Sequence, residues 1–472
     1  MPRAIGRLLN LFLVAYLALA AGLFYWQVVA AGELVGDPRL NGYRIEAMAR
    51  QDVRGQILDR NGQPLARSEP TPDRRVRRYP YPPAAHITGY WSRRYGTSGL
   101  EAAYDRALRG DQGGGAAAIR DRLLHRPVVG LDVVTTIDLR LQRAADEAMG
   151  TARGAAIALD PRSGDVLALA SHPFADPNRI DQEGQQLSQG VAGDPLVNRA
   201  TSGLYAPGST FKVVTYTAAL AQGALTPETV FEDPDNGVTV ERTRIPDPNH
   251  PGRPRFTAVE ALALSSNSAF AEIGVKLGGA GIRDQARLFG FGAPIPFDLP
   301  TVAAEVARDP NFLRSELGAA TTGIGQGQLL ATPLQMAQIA AAVANGGQAM
   351  KPRLVSELRS ADGRVVARSS PERLTRVSSP EIARQVADGM ALAVRISPAQ
   401  TVALPNVAVA GKSGTAEFGE SGVSHAWFIA FAPLEAPRVA VAVIEERAGG
   451  GSTFAGPVAR RMLEVGLQIT AS

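Results

Sequence analysis

Apolar and polar positions divide the chain into three stretches of different character. From Leu8 to Ala31, 24 consecutive residues carry no formal charge, enough for a helix of roughly 36 Å that crosses a bilayer with some tilt. Arg3 and Arg7 precede this run, and Tyr25 and Trp26 lie near its far end. The positive-inside bias then puts residues 1–7 in the cytoplasm and residues 32–472 outside, with the aromatic pair at the outer interface. A cleaved signal peptide is the competing reading, although the apolar stretch is longer than a usual signal core.

The second stretch, residues 32–150, is rich in arginine and irregular, and is expected to form a small pedestal. Within it, Gly55 to Ser68 reads as two strand-like pieces around an Asn-Gly turn. The density of Arg and Pro from Arg74 to Pro83 predicts an extended surface run with a solvated basic face, and Gly113 to Gly115 marks a flexible loop.

The third stretch, residues 151–472, has the patterning of a compact domain. Gly154 to Ser171 reads as two apolar strands around the turn Asp160-Pro161-Arg162-Ser163-Gly164. Helical spacing follows over Ser209 to Gly223, over a segment opened by a Thr257–Glu260 capping box, and over Thr332 to Gly347. Strand-like runs return at Val407–Phe418, Ala426–Pro433 and Arg438–Glu446, and Gly456–Ile469 closes as an amphipathic helix. The order of strands, helices and strands predicts an α+β domain whose central antiparallel sheet joins both ends of the segment.

Composition narrows the chemistry. The chain is 45% apolar and 20% charged, which argues against disorder, and its net charge of +4 is too small for a nucleic-acid binder. With no cysteine, disulfides, thiolate metal sites and cysteine nucleophiles are excluded, so covalent catalysis falls to Ser, Thr, Lys or a carboxylate. Only four of the 49 basic residues are lysine: Lys212, Lys276, Lys351 and Lys412. Where arginine fills almost every place that needs only positive charge, a retained lysine marks a position where a compact, tunable ammonium matters. The histidines (His86, His125, His172, His250, His425) are scattered, with no H-E-x-x-H, so neither a zinc hydrolase nor a Ser-His-Asp triad has support.

Three motifs can carry chemistry. Ser209 and Lys212 stand three apart at the start of a helix, on one face, after Pro207-Gly208. A lysine there takes the serine proton if burial or a second cation lowers its pKa, and the helix N-terminus favours an oxyanion nearby. Ser265 and Asn267 fall where one helix hands over to the next, a place where a hydroxyl and an amide relay a proton and hold a peptide group, but also ordinary helix punctuation. Lys412-Ser413-Gly414-Thr415 lies in an apolar strand, where Gly lets a ligand backbone approach and Lys with two hydroxyls binds a carboxylate. Gly411-Lys412-Ser413 also ends like a P-loop, but residue 406 is Asn and a strand follows, so the nucleotide reading fails.

The set S-x-x-K, S-x-N and K-[ST]-G is that of penicillin-binding proteins and serine β-lactamases. With Arg54–Gly62, Tyr95–Asp105, Leu204–Lys212, Gly323–Ala337 and His425–Pro433, it makes the chain resemble a class B penicillin-binding protein, a monofunctional peptidoglycan D,D-transpeptidase. The resemblance implies that Ser209 is the acylated nucleophile, Lys212 its general base and Ser265 a proton shuttle. Asn267 would hold the donor peptide, and Lys412, Ser413, Gly414 and Thr415 its terminal carboxylate, with backbone N–H groups of Ser209 and Thr415 as the oxyanion hole. It further implies no metal or organic cofactor, peptidoglycan stem peptides as D-Ala-D-Ala donor and amine acceptor, β-lactams as inhibitors, and a SEDS-type membrane glycosyltransferase as partner, in division or elongation. A D,D-carboxypeptidase or β-lactamase-type hydrolase, or a non-catalytic envelope scaffold, are the alternatives.

Overall fold

The computed structural model describes residues 2–30, 53–72, 75–111, 129–191, 193–232, 236–248, 254–418 and 422–470. The first helix, Pro2–Phe24, runs into a wider turn at Tyr25–Val29. Its span Ile5–Gln27 has a mean hydropathy of 2.1 and no part of it is buried, so this helix is long and apolar enough to cross a membrane.

The centre of the largest domain is a five-stranded antiparallel sheet in the order Ala410–Phe418, Val423–Ala432, Val439–Glu445, Gly154–Leu159, Val166–His172. Period-two alternation sorts its side chains to two faces. Ala155, Ile157, Ile429 and Phe431 pack into one core with the helix Pro333–Ala344, whereas Ala156, Ala158, Phe428 and Ala430 pack into the other with Ala455–Ile469. Both faces are covered, which is why these strands read as near-continuous apolar runs. The expected Gly154–Ser171 hairpin and the Thr257–Glu260 capping box are both present.

A second sheet of six strands runs Val365–Arg368, Val355–Arg359, Asp132–Thr135, Ile57–Leu58, Pro64–Pro70, Arg75–Arg78. Two of its strands come from far along the chain: Val355 to Arg359 lies antiparallel to Asp132–Thr135. The helix Leu139–Met149 precedes residue 150 in sequence, yet it packs on the five-stranded sheet and against the closing helix through Leu141, Ala144, Ala145 and Met149.

The Arg74–Pro83 run departs from its expected surface character. Arg75–Arg78 is an edge strand paired with Pro64–Pro70, and Arg77 and Tyr79 are buried. The cause is an ion cluster: fully buried Glu101 accepts from Arg77 Nε and Arg54 Nε, each at 2.6 Å, and Arg54 also reaches Asp105 at 2.8 Å. Paired and hydrogen-bonded, these charges tolerate an interior that would reject them singly. Gly113–Gly115 lies outside the described residues.

Candidate active site

Ser209 lies in a short 3-10 turn, Gly208–Phe211, that leads into the helix Lys212–Ala221. Gly208 adopts φ +55°, a conformation that glycine takes at little cost. Three contacts fix the turn. Thr210 Oγ1 donates to Pro207 O at 2.6 Å, Gly208 N–H donates to Gly325 O at 3.0 Å, and the buried Trp427 indole donates to Ala206 O at 2.9 Å.

The turn sits beside the edge strand Ala410–Phe418, so the strand's free side faces it. Close approach is possible because Gly414 has no side chain: a Cβ there would lie 2.9 Å from Pro207 O and 3.1 Å from Thr210 N. Gly451 closes the other side, where a Cβ would meet Gly414 O and Trp427 O, each at 2.3 Å.

The third strip is a tight handover between helices. Ala258–Leu264 ends at Ser265, which takes the left-handed conformation (φ 65°, ψ 36°), and Ser266 caps the next helix, Asn267–Leu288. A non-glycine residue held there stores strain of about 1–2 kcal/mol, a feature that clusters at functional sites.

These strips meet at two lysines. Lys212 is wholly buried, and its Nζ donates to Ser265 O and Asn267 Oδ1, each at 2.7 Å, with Ser265 Oγ at 3.4 Å. Lys412, also buried, donates from Nζ to Ser265 Oγ at 2.8 Å and to Ser413 O at 2.9 Å. The Ser265 hydroxyl thus bridges both. Burial pushes Lys412 down to about 7. Burial first, and then the Lys412 charge, hold Lys212 well below its ordinary value, while Asp247 opposes them. A neutral amine has two N–H bonds and one lone pair; the two short bonds to Ser265 O and Asn267 Oδ1 occupy the hydrogens and leave the lone pair to accept a proton.

Ser209, Ser265, Asn267, Lys412, Ser413, Gly414 and Thr415 all line one cleft of about 490 Å³, together with Gln326 and Gly450–Thr453. Thr415 is exposed on the strand and its Oγ1 accepts from Gly451 N–H at 3.3 Å. His425 is buried, its ring edge-on to Tyr205 at 5.4 Å and its Nδ1 accepting from Arg447 N–H at 3.2 Å. That is a packed histidine in support of the wall.

Three contributors have no motif to announce them. Asp247 stands behind the helix handover, bonded to Ser266 and Ser268. Gly325 meets the nucleophile turn. Tyr205, four residues before Ser209, donates to Glu446 Oε1 at 2.7 Å, which also accepts from the buried Arg199 at 2.8 Å. Of these, Gly325 and Tyr205 fall within stretches that carried the family resemblance, but Asp247 sits in a proline-rich segment without a pattern of its own.

A serine turn, a buried lysine beside it and a second lysine on a sheet edge form the architecture of serine acyl transfer with a lysine base. Residues 154–464 match the family model described as the penicillin binding protein transpeptidase domain, and residues 54–125 match that of the penicillin binding protein A dimerisation domain. The chain belongs to the penicillin-binding protein transpeptidase family. It is similar to the peptidoglycan D,D-transpeptidase PbpA of Mycolicibacterium smegmatis, 36% identical over 99% of each chain. The peptidoglycan D,D-transpeptidase MrdA of Haemophilus influenzae is 31% identical over 78% of this chain and 62% of its own. Among solved structures, the imipenem acyl-enzyme complex of penicillin-binding protein A from M. tuberculosis superimposes with a TM-score of 0.82 at 35% identity, covering 90% of this chain and all of that one. The D,D-transpeptidase domain of a peptidoglycan glycosyltransferase from Eggerthella lenta gives 0.81 at 31% identity, over 89% and 99%.

Proposed function

We propose that the chain is a peptidoglycan D,D-transpeptidase that cross-links stem peptides through an acyl-enzyme on Ser209 and is acylated at the same atom by β-lactams. The observation that carries this reading is the Lys212–Ser265–Lys412 chain of contacts, in which Ser265 and Lys412 line the same cleft as Ser209 and Lys212 is buried behind them.

Ser209 Oγ attacks the carbonyl carbon between the two terminal D-Ala residues of a donor stem peptide, and its proton passes to Lys212 Nζ. Backbone N–H groups of Ser209 and Thr415 receive the oxyanion. The tetrahedral species collapses, the C–N bond breaks, and the proton travels from Lys212 through Ser265 Oγ to the leaving nitrogen, so free D-Ala departs. An acceptor amine then attacks the ester, gives its proton back along the same route, and releases Ser209 with a new peptide bond. Asn267 holds the donor backbone. Lys412, Ser413 and Thr415 receive the terminal carboxylate on the strand edge, and Gly414 lets it approach.

The segments divide as a cytoplasmic 1–7, an anchor 8–31, a pedestal based on 32–150 and a catalytic domain based on 151–472. The anchor places the catalytic domain outside the cell membrane, with Arg3 and Arg7 on the cytoplasmic side. A SEDS-type membrane glycosyltransferase supplies the glycan strands, contacted through anchor and pedestal. The test is to incubate the full chain with a stem pentapeptide and an amine acceptor and to separate the products. Release of D-Ala together with the cross-linked peptide, both absent from Ser209→Ala, supports transpeptidation. Release of D-Ala with hydrolysed tetrapeptide alone moves the assignment to a carboxypeptidase, and no release assigns a scaffold.

A further inference from the structure

Behind the two lysines the structure holds a third buried ion that neither the motifs nor the proposed mechanism uses. Asp247 is 3% exposed and follows the short hairpin Gly237–Val240 and Thr243–Pro246. Its Oδ2 accepts from Ser266 Oγ at 2.5 Å, from Ser268 Oγ at 2.9 Å and from Ser268 N–H at 3.4 Å. The preceding residue grips the same turn from the other side: Pro246 O accepts from Asn267 Nδ2 at 3.1 Å. Asn267 is thereby held between Pro246 and Lys212, its Oδ1 oriented to the lysine.

This clamp bears on the strained residue. Ser265 is left-handed because the first helix must stop and the second begin within two residues, and Ser266 Oγ accepts from Ala269 N–H to start the second. One hydroxyl therefore caps the helix and ties it to Asp247. Without the tie, the turn would relax toward a lower-energy backbone and carry Ser265 Oγ from its place between the two lysines.

A carboxylate in an apolar interior without counter-charge protonates. Burial alone would raise Asp247; the hydrogen bonds from Ser266, the Asn267 backbone and Ser268, and the Lys212 charge, outweigh burial and hold it below its ordinary value. The charged groups acting on Lys212 are Lys412, from the edge strand, and Asp247, from the end of the hairpin. They act with opposite sign.

We propose that Asp247 is a positioning residue of this active site: through Ser266 and Ser268 it fixes the turn that presents Ser265 and Asn267, and its negative charge offsets Lys412 at Lys212. The proposal rests on Ser209 as nucleophile and Lys212 as base. Asp247 does not touch substrate; it acts through the lysine and the turn.

The test is the acylation of the full-length chain by a fluorescent penicillin between pH 5 and 9, with rate constant and binding constant separated. Asp247→Asn keeps the shape and removes the charge, and Ser268→Ala removes one tie and leaves the charge. In Asp247→Asn the acid limb of the acylation rate is expected to move to lower pH by about one unit, because Lys212 loses its stabilising anion. Ser268→Ala is expected to lower the acylation rate constant about tenfold, with the limb in place and binding little changed. A residue that served only to hold the fold would alter melting temperature without moving the limb. If Asp247→Asn fails to fold, Ser268→Ala carries the test. An acid limb and rate unchanged in each variant that folds overturns the inference. A wild-type chain that is not acylated, or Ser209→Ala that is, overturns the Ser209 reading instead.

Discussion

Replacing Lys412 by methionine probes the charge coupling at the centre of the site. Ser265 Oγ lies 3.4 Å from Lys212 Nζ and 2.8 Å from Lys412 Nζ, so the two nitrogens are within about 6 Å of each other. At an effective dielectric of about 20, two unit charges at that distance repel by about 2.8 kcal/mol, equivalent to about two pH units. Both side chains are buried, so solvent screens little of this. Lys412→Met keeps the stem's volume and removes the charge. Lys212 then protonates more readily, and the acid limb of the acylation rate moves to higher pH by about one to two units. Below about pH 7, where Lys412 carries its charge, loss of the charged anchor for the carboxylate lowers acylation by a further ~10- to 100-fold. The assay is the pH profile of acylation of the full chain by a fluorescent penicillin, in wild type and Lys412→Met. A limb that stays in place, or moves to lower pH, refutes the electrostatic account of Lys212.

Three further outcomes follow from the same geometry. Lys412, at about 7, and Lys212, well below its ordinary value, are neutral in the folded chain at pH values where the unfolded chain protonates them. The unfolded state then binds more protons, so stability rises with pH from about 7 toward the ordinary lysine value, by about 1.4 kcal/mol per pH unit for each lysine; chemical denaturation at pH 7, 8 and 9 should trace this rise, and Lys412→Met should reduce its slope by about half, leaving the Lys212 share. Gly325→Ala would put a Cβ 1.8 Å from Gly208 O at a backbone φ of +89°, displacing the nucleophile turn, and a tenfold or greater loss of acylation rate is expected at about 1–3 kcal/mol of local strain. Glu101→Gln leaves Arg54 and Arg77 buried against a neutral amide, and a loss of about 3–5 kcal/mol in the pedestal is expected in urea unfolding, with a null result showing that the cluster is not needed there.

Local patterns were the legible part of this chain. The turn Asp160–Gly164, the Thr257–Glu260 cap and the apolar runs of the C-terminal strands each encode their structure within a dozen residues, and each appears where expected. The seven motif residues that line the cleft were legible for another reason: their residue types are dictated by chemistry, not by packing. What escaped was non-local. Arg77 reads as solvated until Glu101, 24 positions on, supplies its counter-charge. Val355–Arg359 carries no mark that it will join a strand more than two hundred residues earlier. Asp247 acquires its role only when the hairpin folds against Ser266 and Ser268. Single charged residues are the hardest to read, because the same letter serves a surface and a buried network.

The central claim is that Ser209 forms a covalent acyl-enzyme, and intact-protein mass spectrometry of the full-length chain after brief exposure to benzylpenicillin tests it most directly. The account predicts a mass increase of one penicillin equivalent that persists through the time course in wild type and is absent from Ser209→Ala. An equal adduct on Ser209→Ala, or no adduct on either protein, would contradict it.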